Sequence, residues 1–189
     1  MKELICVLAS VIIAGYAYNL YQNRGLTTIK SSSNNKEYLV RELEDKQDAA
    51  NLLANIGDSF DKLVKYVSTD SHEGVEQLVN KFNSNNIKEN IPSSEYTAYS
   101  VNKGEELVLC LRNINDNSFI DINTILFVGI HELAHIMTDE VGHTEKFWSN
   151  MEYLVTKANE INIYNPIDYS KYPTDYCGQE INTTPYKFK

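Results

Sequence analysis

Ile125-Leu126-Phe127-Val128-Gly129-Ile130-His131-Glu132-Leu133-Ala134-His135 is the stretch that decides how this 189-residue chain is read. The apolar run carries no proline and leads straight into the histidines, which predicts a helix with Asp121 or Asn123 as its N-cap. On a helix, residues four apart share a face, so the imidazoles of His131 and His135 come within reach of one metal ion. Glu132 projects one position round, beside the open coordination site of such an ion. A zinc ion lowers the pKa of its bound water towards neutrality, and a carboxylate beside it takes the proton as the water attacks a carbonyl. The spacing therefore predicts a Zn2+-dependent hydrolase in which Glu132 is the general base activating a zinc-bound water.

A catalytic zinc ion usually takes three protein ligands. His143 follows His135 by eight positions and stands directly behind Gly142, a residue suited to reversing the chain after a helix. The alternatives are acids on the following helix: Glu145, Glu152 or Glu160. Three of the four histidines in the chain fall between positions 131 and 143, the concentration a histidine-ligated site requires. The fourth, His72, lies in a polar Asp70-Ser71-His72-Glu73 stretch and reads as a solvated residue.

Working outward, Thr144 opens a further helix, with Phe147, Met151, Leu154, Val155, Ala158 and Ile161 at helical spacing. Upstream, Tyr96 to Arg112 reads as a hairpin or small antiparallel sheet, with Asn102-Lys103-Gly104 as the turn and Leu107 to Leu111 as a buried strand. Lys103 and Arg112 read either as substrate contacts or as a solvated strand edge. From Glu37 to Val67 the pattern is helical, with one apolar stripe running from Ala49 to Val67. A short amphipathic helix follows around Val75, Leu78, Val79 and Phe82. The tail from Asn165, with Pro166, Pro173 and Pro185, reads as irregular and wrapped around the domain. The expected class is α+β: an active-site helix, a small antiparallel sheet and flanking helices in one domain.

Within that domain, residues 37–90 form a helical N-terminal part, 96–162 a catalytic core and 163–189 the tail. Before it, Asn23 to Asn35 is polar and serine-rich, so residues 24–36 read as a flexible linker. Residues 1–23 are different in kind. No charge occurs from Leu4 to Asn23, a length sufficient to cross a bilayer as a helix, and Tyr16, Tyr18 and Tyr21 fit an aromatic interface belt. A retained single-pass anchor is favoured over a cleaved signal, because the basic flank is only Lys2 and no small-x-small site follows. Arg24, Lys30 and Lys36 lean towards a cytoplasmic domain, and the sequon Asn182-Thr183-Thr184 leans the other way.

The formal net charge of −9 disfavours autonomous nucleic-acid binding, since no local basic face offsets it. Of Cys6, Cys110 and Cys177, only the last two lie outside the apolar segment. That is not a disulfide framework, and they read as free thiols of a reducing compartment.

His131-Glu132-Leu133-Ala134-His135, followed by Gly142-His143-Thr144-Glu145-Lys146-Phe147-Trp148, resembles the minimal zincins of the SprT, WLM and YgjP-like group over about residues 96–158. Three more segments, Tyr99 to Glu105, Cys110-Leu111-Arg112 and Asp175-Tyr176-Cys177-Gly178, resemble uncharacterised membrane-anchored metallopeptidase-like proteins of large DNA viruses. The first resemblance implies a gluzincin-like minimal fold, His131, His135 and His143 as metal ligands and Glu132 as general base. It also implies that the strand near Leu107 to Leu111 pairs with an extended substrate by strand addition. The gap between the second and third histidines is longer than in many members. Members that cleave DNA–protein crosslinks carry DNA-binding elements with no counterpart in this acidic chain, so no nucleic-acid partner is expected.

The reading is a membrane-tethered zinc metallopeptidase, an endopeptidase, acting on a protein or peptide substrate, with its anchor in a host or virion membrane. Its rivals are a zinc-stabilised binding module without catalysis and a zinc hydrolase of a non-peptide amide. No motif identifies an oxyanion donor; Tyr176 is a candidate, and Cys177 a thiol near the metal.

Overall fold

The computed structural model describes Val7 and residues 12–15, 23–92 and 94–188. The apolar segment read as an anchor lies mainly outside these residues, and among those described no helix is long and apolar enough to cross a membrane.

The helix that carries His131, Glu132 and His135, α3, spans Ile122–Met137. Asp121 is its N-cap and accepts from the backbone N–H groups of Asn123 at 3.0 Å and Thr124 at 3.4 Å. The helix stops at Thr138, whose hydroxyl donates back to the Ala134 carbonyl at 2.7 Å. Ile125, Ile130, Leu133, Ala134 and Ile136 are fully buried, so α3 runs through the core. It crosses the long helix α1, Lys46–Val67, at very close range. A Cβ on Gly129 would overlap the ring of Phe60, which explains a glycine in the middle of a buried helix. α2, Val75–Lys81, covers the other flank. α4, Glu145–Glu160, is capped by the Thr144 hydroxyl and packs along α3 with Phe147, Met151, Leu154 and Val155 buried.

The sheet has the order β3 (Ile87–Glu89), β5 (Glu106–Leu109), β4 (Ala98–Val101). β4 and β5 form the expected antiparallel hairpin, with Asn102 and Lys103 at positive φ in its turn. The sheet as a whole is mixed rather than antiparallel, because β3 joins β5 in parallel. β3 escaped sequence reading because two of its three buried residues are charged. Lys88 pairs with Glu106 at 2.7 Å and Glu89 with Arg112 at 2.8 Å, so polar groups are buried by pairing and leave no apolar alternation. β5 is also the central strand, flanked on both sides. Strand addition at Leu107–Leu111 is therefore excluded; β3 and β4 are the edge strands, and β4 is the one beside α3.

Three further expectations are corrected. Residues 24–36 are not a tether: β1, Leu26–Lys30, pairs antiparallel with β2, Glu37–Arg41, so the helical reading of residues 37–45 also gives way. The serines between them bind rather than loosen the loop. The Ser31 hydroxyl and the Ser32 N–H both donate to Asn51 Oδ1 on α1 at 2.9 Å. The tail, expected to be irregular, contains a hairpin of β6, Thr174–Tyr176, and β7, Gln179–Ile181. Cys177 and Gly178, both at positive φ, make its two-residue turn.

The third correction concerns the thiols. Cys110 and Cys177 form a disulfide that pins this hairpin to the end of β5. The partners are 67 positions apart in the chain, so only the fold brings them together. Closing so long a loop restricts the unfolded chain. Cys177→Ser, or reduction of the wild type, is expected to lower stability by about 2–4 kcal/mol, seen as a lower denaturant midpoint. An unchanged midpoint would mean the bridge constrains nothing.

Candidate metal centre and active-site cleft

α3 presents His131 and His135 on one face, as their spacing requires. After α3 the chain turns through residues 138–144, and Gly142 adopts a positive φ immediately before His143. That reversal brings the third imidazole back. The three Nε2 atoms lie 3.2 Å (131–135), 3.2 Å (135–143) and 3.0 Å (131–143) apart. Ligand nitrogens about 2.0–2.1 Å from a tetrahedral ion stand about 3.4 Å apart, so the triangle is within a few tenths of an ångström of a metal's requirement. Hydrogen bonding alone does not explain three ring nitrogens converging on one point, since neutral imidazole carries one N–H. Among the described residues, these three are positioned to bind a metal, and Glu145, Glu152 and Glu160 are not part of the cluster. Glu152 pairs with Lys187 and Glu160 with Lys157.

The imidazoles rest on Phe147, a fully buried ring whose centroid is 4.8, 4.3 and 4.7 Å from those of His131, His135 and His143. Burial, reinforced by the neighbouring histidines, lowers the pKa of His131 to about 3. Burial, with His143 and Lys103 adding to it, lowers that of His135 to about 4. Both rings are thus neutral at pH 7, the state in which imidazole binds a metal.

Glu132 is buried beside them. Desolvation raises its pKa to about 7, against the backbone and hydroxyl hydrogen bonds of Ser100, which act to lower it. Ser100 lies on the open edge of β4. The Cys110 N–H donates to the Thr97 carbonyl at 3.0 Å, so alternate residues Thr97, Tyr99 and Val101 face β5 while Ala98 and Ser100 face outward. A cavity of about 250 Å³ opens between this edge, α3, α4 and the β6–β7 hairpin, with His131 and Glu132 in its wall.

Several side chains serve otherwise than their sequence context indicated. Lys103 donates to the carbonyls of Thr138 at 2.6 Å and Glu140 at 3.1 Å, holding the loop that carries the chain to His143. His72 is not simply solvated: it stacks on Tyr153 at 3.9 Å and bonds Asn150 Oδ1 at 3.0 Å. Asn150 in turn donates to Thr138 Oγ1 at 2.9 Å, tying α4 to the end of α3. Arg112 touches no open surface, being 1% exposed among Glu89, Asp45 and Asn117. Tyr176 does line the cavity, but its hydroxyl donates to the Cys110 carbonyl at 2.9 Å, which commits it to holding the hairpin. Cys177 is in the disulfide and offers no thiol to a metal.

The model of the WLM domain family matches residues 31–184. The chain is 36% identical over 160 residues to an uncharacterised protein, R325, of Acanthamoeba polyphaga mimivirus, covering 82% of this chain and 81% of that one. It is 23% identical over 181 residues to the uncharacterised protein 136R of Invertebrate iridescent virus 6, covering 90% and 96% respectively. The crystal structure of Wss1 from Saccharomyces cerevisiae is similar in fold, with a TM-score of 0.52 at 25% identity, over 65% of this chain and 87% of that one. Matched over most of its length and folded like Wss1, the chain belongs to the WLM domain family of zincin-like metallopeptidases.

Proposed function

We propose that the chain is a zinc endopeptidase, with His131, His135 and His143 as the metal ligands and Glu132 as the general base. The observation that carries this reading is the convergence of three imidazole nitrogens within 3.2 Å of one another, beside a buried carboxyl on the helix that carries two of them. When bound, zinc supplies Lewis acidity, polarising the scissile carbonyl and making an attacking water more acidic. The chain's own groups do the rest. The outward N–H and C=O of Ala98 pair with an extended peptide and lay it along the β4 edge. Ser100 fixes the Glu132 carboxylate, whose raised pKa suits it to take a proton from water and return it to the leaving amine. Phe147 and the end of α3 exclude solvent from the far side of the imidazoles.

Elemental analysis of the full chain in detergent tests the ligand set. Wild type is expected to hold close to one zinc per chain, and His143→Ala to lose most of it. Zinc retained in the variant would remove His143 from the set. No zinc in folded, unchelated wild type would sink the peptidase reading, whereas bound zinc without turnover of any peptide would favour the binding module.

Attachment to a membrane through residues 1–23 is part of the same reading, supported by the uncharged run from Leu4 to Asn23. The Cys110–Cys177 bridge favours an oxidising compartment for the domain, against the weak pull of the flanking cations. Retention of the chain in membranes through alkaline carbonate extraction is the expected result, and release into the supernatant would remove the anchor.

A further inference from the structure

The cavity that holds His131 and Glu132 is mostly apolar beyond them. Phe127 and Val128 enter it from α3, Trp148 and Met151 from α4, and Tyr176 and Ile181 from the C-terminal hairpin. Met151, Tyr176 and Phe127 are 1%, 2% and 5% exposed, so the pocket floor is set by the core rather than by mobile surface groups. The hairpin forms the opposite bank. It is held by the disulfide, by the Tyr176 hydroxyl on the Cys110 carbonyl, and by a 3.3 Å bond between Thr97 Oγ1 and Gln179 Oε1. At about 250 Å³ the space suits one large side chain and no folded segment.

The position of the pocket along β4 gives it a place in a bound peptide. Glu132 meets β4 at Ser100, while the pocket opens at Thr97 and Ala98, towards the start of the strand. Antiparallel pairing is the more stable arrangement per residue. A peptide paired that way on the Ala98 edge runs from the Ser100 end towards Thr97. Its residue just after the attacked carbonyl then stands over the pocket. The carboxylate of Glu180 at the pocket wall disfavours an acidic side chain there.

We infer that this cleft selects peptides with a bulky apolar side chain immediately C-terminal to the cleaved bond, and that Val128, Met151 and Ile181 are its specificity-determining residues. The inference rests on the peptidase reading above. Burial of a larger apolar side chain discriminates by about tenfold or more per methylene in a well-formed pocket.

Incubating the full-length, zinc-loaded chain in detergent with a degenerate peptide pool, and sequencing the new N-termini, reads the preference directly. Phe, Leu and Met are expected to be enriched at least tenfold over Ala and Asp at that position. Val128→Phe, on a half-buried position of α3, is expected to narrow the pocket and cut the Phe-to-Ala preference at least tenfold. Ile181→Phe, on the hairpin and outside the helical core, provides the same test should the α3 variant fail to fold. Cleavage without apolar enrichment at the new N-terminus, or with a preference that both variants leave untouched, overturns the inference alone. Absence of any cleavage by a zinc-loaded chain overturns the peptidase reading and this inference with it.

Discussion

Glu132→Gln is expected to reduce peptide hydrolysis by about 10²–10⁴-fold, the usual contribution of a positioned general base, while leaving zinc content unchanged. Glutamine keeps the shape of the side chain and an oxygen able to accept from Ser100, so the cleft should survive the exchange. What is lost is the capacity to take a proton, because an amide oxygen is not a base near neutral pH. The carboxyl lies outside the triangle of imidazole nitrogens, so its loss removes no ligand. Initial rates on the peptide pool, with zinc measured on the same preparation, separate the two effects. Activity within a factor of a few of wild type would remove Glu132 from the chemistry. Zinc lost together with activity would instead make Glu132 part of the metal's coordination.

Arg112→Met is expected to cost about 3–5 kcal/mol of folding stability, the usual penalty for removing one partner of a buried ion pair. The guanidinium is 1% exposed and donates to Glu89 at 2.8 Å, Asp45 at 2.6 Å and the Asn117 carbonyl at 3.1 Å, with its flat face 4.3 Å from the Phe119 centroid. Glu89 is equally buried and also accepts from the Arg41 N–H at 2.7 Å. One cation thus joins β3 to the start of α1, and Glu89 carries the link on to β2. Without it Glu89 keeps only the Arg41 N–H and the less direct charge of the Arg41 side chain to offset its burial. Glu89→Leu added to Arg112→Met should recover much of the loss, because an apolar pair of similar volume has no charge to desolvate. Denaturant unfolding of both variants decides the matter. A single-variant loss below about 1 kcal/mol, as for an exposed pair, would show that solvent reaches the cluster.

Local pattern was enough wherever one segment carries the whole message. The run Ile125 to Ile130, the Asp121 cap and the four-residue spacing of His131 and His135 specify a buried helix and the face on which the imidazoles lie, because helical geometry relates them without help from the rest of the chain. Gly142 before His143 was legible for a similar reason: a residue that accepts positive φ marks where the chain reverses. The Asn102-Lys103-Gly104 turn and the apolar face of α1 belong to the same class.

Other features depend on partners distant in sequence and leave no local trace. β3 consists of Ile87, Lys88 and Glu89, and no apolar period marks it, since Glu106 and Arg112 neutralise its buried charges from other segments. The serines at 31 and 32 look like a flexible linker until Asn51 is placed beside them. Cys110 and Cys177 become a disulfide only because the tail folds back on β5. The open edge of β4, and the cleft between it and the hairpin, likewise exist only once β5 is enclosed on both sides. The sequence by itself determined the buried helix with His131, Glu132 and His135 on it and the turn that precedes His143, because helix periodicity and a short chain reversal relate them. Only the tertiary structure decided which strand edge lies open beside the imidazoles and what walls the pocket, because those depend on pairing and burial between segments far apart in the chain.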